Sequence, residues 1–101
     1  MWVIIFFDLP VDPADNRKIY ADFRKFILRK GFQAVQKSVY IRWTDSAAAA
    51  DFCRHDIEKN CPPCGQLAIF CVTEKNMRAT LFFRDGKSEN APEKPEPFFI
   101  F

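Results

Sequence analysis

The sequence predicts one α+β domain built on a four-stranded sheet, and three observations carry that prediction. Residues 2–8 (Trp-Val-Ile-Ile-Phe-Phe-Asp) are β-branched and aromatic without alternation, which suits a central strand covered on both faces. Two later stretches place apolar residues three and four apart, the spacing of a helix with a single buried stripe. Further strand-like runs follow, separated by Gly, Pro and Asp-Gly. At 101 residues the chain holds one core, because two would each be too small to stay folded.

The elements fall in order. Leu9-Pro10 ends the first strand, since proline donates nothing to a ladder and biases the residue before it. Asp12 or Asp15 is placed to cap a helix starting near Pro13. Ile19, Phe23, Phe26 and Ile27 form its buried stripe, and Gly31 terminates it. Residues 32–43 interleave polar and apolar side chains as one long strand with a covered face. Thr44-Asp45-Ser46 is a capping cluster for a second helix whose inner stripe reads Ala48, Ala49, Phe52, Cys53 and Ile57. Residues 60–65 turn the chain, Leu67 to Thr73 is another strand, and a one-turn helix follows over 74–77. Residues 79–83 form a further strand before the Asp85-Gly86 turn. Residues 91–97 (Ala-Pro-Glu-Lys-Pro-Glu-Pro) read as an extended spacer that does not pack.

Strands and helices in this order give the split βαβ, or ferredoxin-like, βαββαβ sandwich over residues 1–84. Residues 85–101 then form a proline-rich spacer and an extra C-terminal strand, Phe98-Phe99-Ile100-Phe101, exchanged with a partner. Helices cover one face of such a sheet, so the other presents apolar side chains, and a symmetric homodimer is the expected remedy.

Composition narrows the function classes. Apolar residues are 49% and charged residues 28% of the chain, an ordinary globular balance. The net charge is only +2, but residues 1–44 carry +4, residues 45–84 none and residues 85–101 −2. The basic half is where a polyanion would meet the chain. No apolar run approaches the ~20 residues of a membrane span. The apolar start lacks a preceding basic segment and stops at Asp8, unlike a signal peptide. Cys53, Cys61, Cys64 and Cys71 therefore read as reduced thiols of a cytoplasmic protein. The only histidine is His55 and the only glycines are Gly31, Gly65 and Gly86, which leaves no Gly-rich phosphate loop and one candidate base for a hydrolase triad.

A strand ending Phe-Phe-Asp8-Leu-Pro, a basic helix, Gly31-Phe and Gln36-Lys-Ser-Val-Tyr40 together resemble the CRISPR-associated protein two family. Val-Thr-Glu-Lys-Asn-Met (72–77) is similar to the branch beside single-effector, Cas-nine-type systems. The resemblance implies a ferredoxin-like homodimer, a metal-dependent endonuclease acting on RNA or DNA, and a central subunit bound to the CRISPR integrase in spacer acquisition. It implies that Asp8 binds the metal and is catalytic, and that Arg17 lies where relatives carry an arginine. One carboxylate holds Mg²⁺ poorly, whereas two Asp8 residues meeting across a twofold axis would share one ion and relieve their mutual repulsion. On position alone, Asp8 reads more readily as a turn residue bound to nearby amides than as a metal ligand. Arg17, Lys18, Lys37 and Arg42 are the bases expected on nucleic acid, while Arg24, Lys25 and Arg29 read as a solvated surface. Phe23, Phe26, Phe70 and Phe82 have the spacing of core residues rather than of base-stacking platforms. Cys61-Pro-Pro-Cys64 with Cys53 and His55 has zinc ligand types, but Cys53 belongs to the inner stripe and His55 lies round the helix from it. A non-catalytic scaffold holding duplex DNA, and an unrelated toxin ribonuclease of the same fold, are the competing readings.

Overall fold

The structure is a computed structural model that describes residues 1–8 and 14–96. Its elements are β1 (Trp2–Asp8), α1 (Ala14–Arg29), β2 (Gln33–Gln36), β3 (Val39–Trp43), α2 (Ala47–Lys59), β4 (Gln66–Val72), α3 (Glu74–Ala79), β5 (Phe82–Arg84) and β6 (Lys87–Glu89). The first four strands form an antiparallel sheet ordered β2-β3-β1-β4. With α1 and α2 on one side of it, the ferredoxin-like βαββαβ sandwich is present.

The strands that make up that order differ from the sequence reading. Residues 32–43 are a hairpin rather than one strand, and they reverse at Lys37-Ser38, with Ser38 in the left-handed region at φ +70. No Gly, Pro, Asn or Asp marks this turn. The run 79–83 contributes β5, which leaves the main sheet and pairs with β6 through the Asp85-Gly86 turn. That hairpin spans the boundary expected at residue 84. Nor is the following spacer free of packing. Ala91 packs against the cluster of Trp2, Ile41 and Met77, and Lys94 Nζ sits 5.4 Å from the centre of the Trp43 ring. The C-terminal Phe98–Phe101 segment and Asp12 lie outside the described residues.

Register explains the two cores. Odd residues of β1 (Val3, Ile5 and Phe7) face the helices and pack with Phe23, Ile27, Cys53 and Ile57. Phe7 stacks on Tyr40 at 5.2 Å and meets Phe23 edge-on at 5.0 Å. Each fully buried aliphatic side chain here contributes about 1.5–3 kcal/mol over its exposed state. The even residues Trp2 and Ile4 face the other way and join Ile41, Met77, Val72 and Phe82. Thus α3 and β5 cover one end of the face opposite α1 and α2 and leave its other end helix-free. Phe6 remains 46% exposed and Phe70 37%, their rings 5.3 Å apart.

The helix ends follow local chemistry. Gly31, at φ +91, ends α1, and the Phe32 N–H reaches back to the Ile27 carbonyl at 3.1 Å. Ser46 caps α2, its Oγ accepting from the Ala49 N–H at 3.0 Å. The stripe of α2, however, is Ala50, Cys53 and Ile57. Ala48, Ala49 and Phe52, expected inside, face solvent.

Candidate site at the end of the central strand

β1 is paired on both sides, so its last residue is held by two neighbours. Asp8 lies opposite Gln66 of β4, and the Phe7 N–H donates to the Ser38 carbonyl at 3.0 Å. The β2–β3 turn is thereby pinned beside the strand end. Asp8 is exposed and borders an open groove of about 530 Å³ with Phe6, Ser38, Gln66 and Leu67. It is the only carboxylate lining that groove among the described residues. Ser38 holds a conformation that costs an L-residue about 1–3 kcal/mol and that tends to occur at functional turns. The residue type gives no sign of this backbone, because serine is not a marker of left-handed turns.

The expected basic residues separate into two places. Lys37 is exposed in the turn next to Ser38, at the Asp8 end of the sheet. Arg17 and Lys18 are exposed near the start of α1, which the chain enters directly after β1. The loop before β4 joins the same corner, since the Cys64 thiol lies 3.6 Å from Asn16 Oδ1. Arg42 is elsewhere. It pairs with Val3 on the helix-covered face, five residues back along β1. At the rise of a strand that is about 17 Å from Asp8. Its Nη1 rests 3.6 Å from Cys53 Sγ.

Two groups near these residues are kept neutral. Burial, together with the neighbouring Tyr40 hydroxyl, raises the Tyr20 phenol above its ordinary value. The Tyr40 hydroxyl in turn accepts from Arg24 Nε at 3.2 Å. Burial also pushes the Cys53 thiol up, partly opposed by Arg42. Neither group borders the Asp8 groove. Among the described residues no three His, Cys, Asp or Glu side chains gather into a metal cradle. Cys53 is buried, whereas His55 is exposed with its Nδ1 3.5 Å from Glu58. The donor set at Asp8 therefore fits a hard divalent ion only as half of a site, since Mg²⁺ takes one or two carboxylates and completes its shell with waters.

A βαββαβ sandwich whose central strand ends in an exposed carboxylate, beside a strained turn carrying a lysine, defines the class: a small ferredoxin-like domain with a strand-end acidic site. Residues 1–80 match the model of the family described as CRISPR associated protein Cas2. The chain is 45% identical over 90 residues to a protein of Treponema denticola named CRISPR-associated endoribonuclease Cas2, covering 88% of this chain and 89% of that one. A protein of the same name from Ligilactobacillus salivarius is 39% identical over 100 residues, 99% of each chain. One from Paracidovorax avenae is 35% identical over 101 residues, covering 100% of this chain and 94% of the relative. The chain belongs to the CRISPR-associated protein Cas2 family, which sets the unrelated toxin reading aside.

Proposed function

We propose that the protein is a CRISPR adaptation subunit and a divalent-metal-dependent endonuclease whose site is assembled from two copies of Asp8. One observation carries this reading: Asp8 stands exposed at the end of the central strand as the lone carboxylate of its groove among the described residues, so each chain supplies half of a cation site. The relatives' shared name, an endoribonuclease, supports RNA as the substrate class. Asp8 from each of two chains would hold a Mg²⁺ ion, which when bound would supply a water of lowered pKa for phosphodiester hydrolysis. The side chains around it bind and position. Lys37, with Arg17 and Lys18 on the adjoining helix start, draws backbone phosphates to this end without reading sequence.

Twofold pairing is supported by the open half of the helix-free face, where the tilted rings of Phe6 and Phe70 meet. It is supported too by β4, an edge strand whose outer side pairs with nothing in the main sheet. In this reading residues 85–101 remain the segment expected to reach the dimer partner or an integrase subunit. No described helix is long and apolar enough to cross a membrane, in keeping with a cytoplasmic site of action.

The scaffold reading is favoured by one fact, that a single chain lacks a metal cradle among its described residues. Asp8→Ala separates the two. Cleavage of labelled RNA and DNA with Mg²⁺ is measured beside spacer acquisition in cells. The endonuclease reading expects cleavage to fall at least about a hundredfold, the top of the range for losing even an outer-shell partner of a metal ligand, on a protein that melts like the parent. Cleavage unchanged by Asp8→Ala overturns Asp8 as the cation site. Cleavage lost with acquisition intact makes the scaffold the primary function, and loss of both favours catalysis.

A further inference from the structure

A second cavity, of about 470 Å³, opens on the helix side of the sheet at the end far from Asp8. Arg29, Lys30 and Arg42 line it together with Phe52, Cys53 and Asp56. The charges there do not balance. Lys30 is matched by Asp56 at 3.0 Å. Among the described residues no carboxylate lies within ion-pair distance of Arg29 or Arg42. Two guanidiniums lining one cavity whose single carboxylate, Asp56, is taken by Lys30 repel each other, and that cost falls when an anion enters.

Arg42 is also held in place. Its stem runs 3.6–3.8 Å from where a Cβ would stand at Gly31, and its Nη1 rests on Cys53 Sγ, a weak acceptor that leaves the charge unsatisfied. A fixed guanidinium fork suits a phosphate, which it binds through paired N–H groups. Beside it stands Phe52, 77% exposed on α2 although its place in the sequence pattern reads as core. An exposed aromatic ring next to unpaired cations is the arrangement that binds a backbone phosphate and stacks the adjoining base. A base free to stack has left a duplex, so the ligand is single-stranded. A protein partner would need carboxylates as well as an apolar anchor to use the same groups.

We propose that this cavity is a single-strand nucleic-acid subsite, with Arg29 and Arg42 on a phosphate and Phe52 under the neighbouring base. It is separate from Asp8 and requires only that the chain meets nucleic acid.

The test is fluorescence anisotropy of the full chain with a short oligothymidylate, the matching oligouridylate and a blunt duplex, at several salt concentrations. Phe52 and Arg29 are exposed, so Phe52→Ala and Arg29→Gln leave the core untouched. Phe52→Ala is expected to weaken single-strand binding by about five- to a hundredfold, the range for losing one stacked base, and to spare the duplex. Phe52→Trp retains affinity. Arg29→Gln with Arg42→Gln lowers the salt slope for single strands by about 1.4, two phosphate contacts' worth. Parental single-strand affinity and salt slope in these variants overturn the subsite alone, leaving the Asp8 reading intact. An equal loss for the duplex, or loss of a protein contact with oligonucleotide binding unchanged, overturns it likewise. If the parent binds no oligonucleotide, this proposal and the nuclease reading fall together.

Discussion

Trp2 is a buried aromatic with a polar edge, and its indole N–H donates to Glu74 Oε1 at 3.2 Å. Arg78 Nε donates to the same oxygen at 3.1 Å. The indole bond first, and then Arg78, hold the Glu74 carboxyl below its ordinary value of 4.5, against an opposing desolvation. A carboxyl depressed by folding adds stability that is present above its unfolded pKa and is lost as pH falls through the folded one. Thermal melts from pH 7 down to 3 should therefore show a shallower acid loss for Glu74→Gln than for the parent. An identical acid limb in the two would mean that the contact does not link α3 to β1. At Gly31 the expectation is conformational. An added Cβ meets Arg42 only at ordinary contact distance, so Gly31→Ala should cost about 1–2 kcal/mol through φ +91 alone, read by urea unfolding.

Among the elements, α2 depends on its cap, and Ser46→Ala should cost about 1 kcal/mol in the same assay. The same helix shows where the sequence was legible and where it was not. Its cap, its length and the burial of Cys53 and Ile57 could be read from residue types. Its phase could not, because four consecutive alanines carry no hydrophobic contrast and Phe52 drew the stripe toward itself. The residues 33–43 hairpin was hidden for a related reason. Apolar residues continue through a reversal made by Lys37-Ser38, and neither residue signals a turn. β1 was legible because a central strand needs apolar residues on both faces, and Asp8 was legible as the charge that ends it. What stands beside Asp8 came only with the fold, since Ser38 and Gln66 reach it from two other segments.

For the molecule as a whole, the open sheet face and the proposed Asp8 cation site would be completed by the same partner, a second copy of the chain. Phe6 and Asp8 lie on one strand two residues apart, so both point to the helix-free side. On the proposed reading, apolar pairing there and metal sharing at Asp8 are linked, and the ion should bind only what a dimer assembles. The most direct measurement titrates Mn²⁺ into the protein, follows the free ion by its electron paramagnetic resonance, and records the association state in parallel. One ion per two chains is expected, abolished by Asp8→Asn and lost with dimerisation in Phe6→Glu. An ion bound by monomeric chains, or binding unaffected by Asp8→Asn, would contradict a site shared between two subunits.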